Sequence, residues 1–358
     1  YSFIGRDPLM ILKSEHEKTH IWQDGDWQEE STSFLSVLRK TQKKYNVPKL
    51  SDIPHFTGGL VGFMGYESIT WVEDIPIYKQ DELQCPDALF MLFHELIAFD
   101  HLQNQIILFS NVQIENGMDL EQAYTDANLC IDEMGEDLHT DIDYQTPARL
   151  EQSKLHSNFT QAKFEAAVQK AKENIKAGDV FQLVLSQCFR RQTSVDPLTM
   201  YRALRSINPS PYMFHLKLND FDIIGASPEL LVKVEDDEIE IRPIAGTRQR
   251  GENAEADKLL ADDLLKDEKE RAEHLMLVDL GRNDVGRAAE FDSVKVKEFM
   301  VVEYYSHVMH IVSDVRGKLR EGKDVFDALY SGFPAGTLTG APKIRAMEII
   351  HDLEPSRR

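Results

Sequence analysis

The sequence predicts an α+β fold, in which runs of strands and runs of helices are segregated along a chain of 358 residues. Strand-like alternation recurs between residues 180 and 244, whereas helical periodicity is concentrated between residues 254 and 280. A doubly wound parallel sheet requires regular alternation of strands with helices, and this chain lacks that pattern. The hydrophobic content of 42% and aromatic content of 9% are those of a globular protein with a packed core.

The individual elements follow from hydrophobic periodicity. Thr160 can cap a helix whose apolar residues lie on one stripe, and Gly178 is well placed to end it. Alternation predicts a strand over residues 180–189. Further strands are expected at residues 89–99, 105–112, 214–218, 222–225, 230–234 and 238–244, and further helices at residues 254–265, 268–280, 325–331 and 343–353.

A polar and acidic stretch over residues 135–158 divides the chain. We interpret it as a linker between an N-terminal region, residues 1–134, and a second region, residues 159–358. The first residues read as the middle of a strand and the last follow directly on a helix. We therefore expect the C-terminal part of the second region to lie beyond Arg358.

The composition excludes several classes of function. A formal net charge of −21 argues against a nucleic-acid partner, because nothing would offset repulsion by the phosphates. Any anion site must therefore be built from local cations and backbone N–H groups. The three cysteines have no metal-ligand spacing, which favours a reducing compartment, here the cytoplasm. No apolar run approaches the roughly 20 residues of a membrane span, so no membrane is expected.

An acidic helix start carries the first candidate site. Glu270 and Glu273 are three residues apart, so their carboxylates lie on one side of the helix, which becomes apolar at Leu277 and Leu280. A carboxylate beside apolar surface requires a compensating partner, and Mg²⁺ prefers oxygen ligands of this kind. The alternative is a solvated helix start in which Lys269 pairs with Glu273.

A strand that runs into Gly246 and Thr247 carries the second candidate site. Glycine lets a ligand approach the backbone, threonine adds a hydroxyl, and nearby arginines can bind carboxylates. An ordinary turn with solvated cations explains the pattern equally well. The arginines are Arg242, Arg248 and Arg250.

Two further segments carry polar candidates. Thr337 precedes a predicted helix start whose exposed N–H groups attract anions, and Lys343 and Arg345 would reinforce that attraction. The alternative is a capped turn. His310 shares a strand face with Val308 and Val312, and by itself such a histidine is more typical of a satisfied core residue than of a catalyst.

Four blocks together resemble the chorismate-utilising enzymes, and within them most closely the anthranilate-forming members. The resemblance covers essentially the whole chain, and its motifs are residues 243–248, 270–280, 305–310 and 336–343. It implies two facing β-sheets surrounded by helices, with the active site in a cleft between the sheets.

The same resemblance implies roles for individual residues. Glu273 would bind Mg²⁺ with Glu270 beside it, and Gly246 and Thr247 would contact chorismate. His310 and Thr337 would line the cleft as catalytic residues near the substrate ring and its leaving hydroxyl. Pro211, Tyr212 and Met213 match the family segment that lines a tryptophan feedback pocket.

Two positions discriminate between activities within the family. Relatives that add water to chorismate carry a lysine base where this chain has Gln182, and glutamine cannot take a proton from water. Relatives that form aminodeoxychorismate usually carry a nucleophilic lysine where this chain has Ala245. The remaining reaction is attack by ammonia on the ring followed by loss of pyruvate. This reaction forms anthranilate and is the first step of tryptophan synthesis. The alternatives are aminodeoxychorismate formation and a non-catalytic tryptophan-sensing module.

The sequence also predicts a partner. None of the cysteines has the glycines of a nucleophile elbow, so a separate glutamine amidotransferase subunit is expected to supply the ammonia.

The resemblance places a second Mg²⁺ carboxylate beyond Arg358 and half of the tryptophan pocket before Tyr1. We therefore expect residues 1–358 alone to be inactive. The test measures fluorescence of anthranilate after this chain is incubated with chorismate and ammonia in the presence of Mg²⁺. Formation of anthranilate would contradict that expectation.

Overall fold

The computed structural model describes residues 1–15, 17–48, 50–51, 53–76, 81–141 and 153–358. The chain forms two compact units. The first contains Tyr1–Trp71 and Leu83–Thr146, and the second contains Val72–Glu82 and Pro147–Arg358. No described helix is long and apolar enough to cross a membrane.

Within its described residues, the first unit contains eight strands and two helices. The strands are β1 (Ser2–Arg6), β2 (Met10–Glu15), β3 (Lys18–Gln23), β4 (Asp26–Glu30), β5 (Gly59–Met64), β6 (Ala88–Phe93), β7 (Glu95–Asp100) and β8 (Gln105–Ser110). The helices are α1 (Phe34–Lys44) and α2 (Leu120–Asp137), with a 3₁₀ turn at Tyr66–Trp71.

All strand pairs of the first unit are antiparallel. One sheet has the order β4-β3-β2-β6-β5, and a smaller one has the order β1-β7-β8. Helix α1 packs on β2, and Leu12 and Leu38 are fully buried between them. Full burial of one such side chain contributes about 2 kcal/mol to folding. The predicted strand 89–99 is divided at His94, where the chain passes from one sheet to the other.

The described part of the second unit contains eleven strands and six helices. The strands are β9 (His156–Ser157), β10 (Gln182–Leu183), β11 (Phe189–Arg190), β12 (Tyr212–Lys217), β13 (Asp222–Ser227), β14 (Lys233–Glu235), β15 (Glu238–Ile241), β16 (Ile244–Gln249), β17 (Lys295–Tyr304), β18 (Val308–Lys318) and β19 (Gly340–Ala341). The helices are α3 (Gln161–Ala177), α4 (Pro197–Ile207), α5 (Ala254–Lys266), α6 (Glu268–Ala288), α7 (Val325–Gly332) and α8 (Lys343–Leu353).

Strand β18 organises the main sheet of the second unit. It pairs with β17 along most of its length and with β16 and β15 in succession, and every pair is antiparallel. Met309 and Ile311 of β18 have no exposed surface and pack with Leu264 of α5. Val315 packs with Val278 of α6. Helices α5 and α6 therefore cover the face of β18 that carries its odd-numbered residues.

The α+β class predicted from the sequence is confirmed. The predicted strand over residues 180–189 is wrong, because only Gln182–Leu183 and Phe189–Arg190 are paired as strands. Between them the backbone bonds to a loop instead, since Val184 N–H donates to Thr339 O at 2.9 Å.

Two predicted boundaries also differ from the structure. Helix α6 continues past its predicted end at Leu280, because Gly281 packs against Pro243 rather than ending the helix. Helix α2 extends to Asp137, into the predicted linker 135–158. The central part of that linker, residues 142–152, lies outside the described residues.

Candidate active site

A β-bulge at Gly246 shapes the strand that carries the second candidate site. In the ladder between β16 and β18, Ala245 faces Ile311 and Thr247 faces His310, so Gly246 is an extra residue. Its φ of +69° lies in the left-handed region that glycine adopts without strain. The bulge places Thr247 beside His310.

Glu270 of α6 lies against this bulge. A Cβ atom added to Gly246 would lie 3.2 Å from Glu270 Oε2 and 3.4 Å from Ile311 Cδ1. The glycine therefore provides the space that the carboxylate occupies on the helix-covered face of the sheet. Arg248 Nη1 lies 3.6 Å from Glu270 Oε1.

The start of α6 is fixed by Asp267, which caps the helix by accepting hydrogen bonds from the N–H groups of Lys269 and Glu270. The hydrogen bond from Glu270 N–H and the Arg248 guanidinium hold the pKa of Asp267 below its usual range. These contacts position the acidic first turn of the helix relative to Gly246.

His310 is held by the same bulge. Its Nδ1 lies 2.9 Å from Gly246 O and 3.1 Å from Thr247 Oγ1, and its ring meets Tyr305 edge to face at 5.4 Å. A carbonyl oxygen can only accept, so Nδ1 carries a proton. In the neutral ring Nε2 is then left as an acceptor.

Glu273 begins a stripe of α6 that leads to a small cavity. Glu273, Leu277, Leu280 and Asp284 follow one another at spacings of three or four residues, so they share one side of the helix. The last three line a cavity of about 40 Å³ together with Thr337. Glu273 is half-buried and has no hydrogen-bond or ion-pair partner in the described part of the chain. The alternative pair with Lys269 does not form.

Thr337 pairs with a carboxyl group from another element. Its Oγ1 donates to Glu229, at 3.1 Å from Oε2 and 3.3 Å from Oε1. Burial raises the pKa of Glu229, although the Thr337 hydrogen bond partly opposes this shift. A half-buried carboxyl group with a raised pKa is suited to donate a proton.

A second cavity, of about 110 Å³, connects Glu229 with the strands that carry His310 and Thr247. It is lined by Glu229, Ile244, Val312 and Tyr305, among others. Val312 pairs with Ile244 and lies two residues from His310 on the same face of β18. The structure thus places the predicted residues in two neighbouring clusters, one at the Gly246 bulge and one around Thr337.

The predicted tryptophan segment borders the second cavity. Pro211 and Tyr212 line it, whereas Met213 is not among its lining residues. Burial and a hydrogen bond to Glu303 raise the pKa of Tyr305, in the same wall, to about 12. The role of these three predicted residues in binding tryptophan remains a prediction.

Comparison with known proteins decides the family. A family model described as chorismate binding enzyme matches residues 2–358. The chain belongs to the chorismate-binding enzyme family.

Three relatives are similar to this protein along the whole of its chain. Anthranilate synthase component 1 of Acetivibrio thermocellus is 43% identical, and the chain spans 74% of that relative. Aminodeoxychorismate synthase component 1 of Bacillus subtilis (strain 168) is 41% identical, and the chain spans 75% of it. The crystal structure of anthranilate synthase component I from Streptococcus pneumoniae TIGR4 is 36% identical with a TM-score of 0.86, covering 100% of this chain and 78% of that one.

The sequence patterns did not identify Glu229 as a candidate functional residue. The signal was a single carboxylate in the apolar run that follows Ser227 and Pro228, where an unpaired charge is unfavourable. Its partner Thr337 lies 108 residues away, so no local pattern connects the two.

The three arginines near Gly246 each bind a carboxylate of the chain itself. Arg242 pairs with Glu303, Arg248 with Asp263 and Asp267, and Arg250 with Asp257.

The two cations beside the start of α8 are also paired with acidic side chains. Lys343 is buried against Asp284, and Arg345 pairs with Glu348 on the surface of α8. A role in anion binding was predicted for these two cations from their position beside a helix start. Asp284, the buried acid that pairs with Lys343, comes from a distant part of the sequence.

Within the described residues, no group of three or more histidine, cysteine, aspartate or glutamate side chains is arranged to hold a metal ion. Mg²⁺, however, often takes only one or two protein carboxylates and fills its other positions with water and substrate oxygens. A half-buried Glu273 without a partner, with Glu270 on the same helix side, fits that smaller requirement.

Proposed function

We propose that this protein is the chorismate-binding component of an anthranilate synthase, which converts chorismate and ammonia to anthranilate, pyruvate and water. The observation that carries the proposal is the half-buried pair of Glu229 and Thr337 beside the α6 stripe that Glu273 begins. The full-length relatives named anthranilate synthase support it.

Mg²⁺ is the proposed cofactor, held by Glu273 with Glu270 beside it. When bound, it would supply positive charge that holds a substrate carboxylate and stabilises negative charge in the transition state. In a chain of net charge −21, such a local cation is needed before a dianionic substrate can bind.

Glu229 is the proposed acid. Ammonia forms a bond to C2 of chorismate as the bond from C4 to its hydroxyl breaks, and the proton of Glu229 goes to the leaving oxygen, which departs as water. The added nitrogen then loses its extra proton, which returns Glu229 to the acid form. Removal of the C2 proton with breakage of the bond from C3 to the enolpyruvyl oxygen makes the ring aromatic, and the released enolpyruvate takes up a proton to become pyruvate. Burial raises the pKa of Glu229, which favours its acid form, and Thr337 orients its carboxyl group.

The Gly246 bulge is the proposed binding surface for the substrate ring. Thr247 offers a hydroxyl on the exposed strand, and His310 offers Nε2 as an acceptor because its Nδ1 is engaged with Gly246 O. The small side chain of Ala245 leaves the ring free of covalent attachment.

The second candidate is aminodeoxychorismate formation, which the Bacillus subtilis relative at 41% identity favours. Ala245 argues against it, because a methyl group cannot act as the covalent nucleophile expected there. The two activities differ in product, since only anthranilate is aromatic and fluorescent.

The assay incubates the full-length protein with chorismate, ammonium and Mg²⁺. We expect a fluorescent aromatic product and an equal amount of pyruvate, with both abolished by EDTA and restored by Mg²⁺. A non-aromatic amino product would support the second candidate instead, and unchanged chorismate would contradict both.

The proposed partner is a glutamine amidotransferase subunit, and tryptophan is the proposed feedback inhibitor. Glutamine should replace ammonium in the assay only after that subunit is added.

A further inference from the structure

A buried ion pair closes the loop that carries Thr337. This α7–α8 loop comprises residues 333–342. Lys343, directly after it, donates through Nζ to Asp284 Oδ2 at 2.8 Å and to Gly332 O at 2.9 Å. The Lys343 and Asp284 side chains are only 5% and 8% exposed. One ammonium group thus ties both ends of the loop to α6.

This pair is not an efficient source of stability. Removing two charges from water is unfavourable, and apolar replacement of a buried ion pair is often neutral or stabilising. Burial raises the pKa of Asp284 and lowers that of Lys343, and each shift is opposed by attraction to the partner. The pair constrains the geometry of the loop, because Lys343 can contact Asp284 and Gly332 O together only while both ends of the loop stay close to α6.

Two close contacts fix the rest of the loop. A Cβ atom added to Gly336 would lie 2.1 Å from Leu280 Cδ2, and one added to Gly340 would lie 2.1 Å from Gln182 O. Thr337 lies between these glycines and bonds to Glu229. The loop is therefore held against α6 at Leu280 and at Asp284, on either side of the turn where Thr337 projects.

Helix α6 thereby connects two parts of the site. Glu273 and Asp284 lie on the same side of the helix, about 16 Å apart at 1.5 Å per residue. A rigid helix that carries Glu273 near one end and anchors the loop near the other fixes the position of Thr337 relative to Glu273.

We propose that Lys343 and Asp284 are positioning residues, which lock the α7–α8 loop onto α6 so that Thr337 holds Glu229 at a fixed place relative to Glu273. The kinetic consequence rests on the proposed function, whereas the effect on the loop does not.

The first test measures hydrogen–deuterium exchange of the full-length protein without ligand. Lys343→Met leaves a buried charge unpaired, so its Tm should fall by on the order of 10 °C. The double variant Asp284→Val/Lys343→Met removes both charges and should recover most of the lost Tm, since the 40 Å³ cavity beside Asp284 can take the added methyl groups.

In this double variant, amides 335–341 should nevertheless exchange at least tenfold faster than in the wild type. Arg282→Met, which breaks the exposed pair with Asp279 on the same helix, is the control. Unchanged exchange of the loop in the double variant would overturn the proposal.

The second test measures steady-state kinetics. The double variant should lose about 10- to 100-fold in kcat, with little change in the affinity for Mg²⁺ measured by calorimetry. In the background of Thr337→Val the further loss should be much smaller, because both changes act on one contact. Full additivity, or a loss of Tm without a loss of kcat, would show a structural role only. If the wild type does not convert chorismate, the proposed function fails, and the exchange measurement still decides whether the pair locks the loop.

Discussion

Replacing Glu273 with glutamine is expected to reduce kcat/KM for chorismate by about 10³-fold or more, corresponding to about 4 kcal/mol of transition-state stabilisation. Glutamine keeps the size of the side chain but removes the charge that attracts Mg²⁺. Glu273 has no hydrogen-bond or ion-pair partner in the described chain, and glutamine has nearly the same shape, so the Tm should change little. The measurement is anthranilate formation across a range of Mg²⁺ concentrations.

Glu268→Gln is the matched control for Glu273→Gln. Glu268 lies in the first turn of the same helix but is exposed, so its replacement should leave the Mg²⁺ dependence unchanged. Equal activity of Glu273→Gln and wild type at low Mg²⁺ concentration would contradict the assignment of this carboxylate.

Replacing Glu229 with glutamine is expected to lower kcat by about 10²- to 10⁴-fold, the range that general acid catalysis usually contributes. The amide still accepts the Thr337 hydrogen bond but has no acidic proton. The KM for chorismate should change much less than kcat. Glu321→Gln, in an exposed turn, is the control and should be as active as the wild type.

The pH dependence gives Glu229 a second signature. Burial raises its pKa, so the acid form is favoured in the folded protein, and wild-type kcat should fall as pH rises through that raised value. The associated stability is fully present below the unfolded pKa and is lost as pH rises through the folded pKa. Glu229→Gln should remove this decline from both kcat and Tm profiles. A variant that retains the same alkaline decline would contradict the role of Glu229.

Local periodicity was sufficient to predict several elements of the fold. Helix α8 occupies the predicted residues 343–353, and Thr160 caps α3 as expected, by accepting from Lys163 N–H. These elements are set by residues within one or two turns of each other. The failures occur where distant residues compete, as at Gly281, whose packing against Pro243 allows α6 to continue.

The site was predictable only as separate pieces. The resemblance identified Gly246, Thr247, His310 and Glu270, and the structure places all four at the Gly246 bulge, with Glu270 on the helix-covered face of the sheet and Thr247 and His310 on the opposite face. The pairing of Glu229 with Thr337 and the buried state of Lys343 could not be predicted, because each depends on a partner distant in sequence. Tertiary packing, and not the local sequence pattern, determines which acidic side chain pairs with which cation.

The central claim is that Mg²⁺ at Glu273 binds a carboxylate of the substrate. Calorimetry of chorismate binding tests this claim most directly. The full-length wild type should bind chorismate measurably with Mg²⁺ and far more weakly with EDTA, and Glu273→Gln should bind weakly in both conditions. Equally tight binding with and without Mg²⁺, unaffected by loss of this carboxylate, would contradict the account.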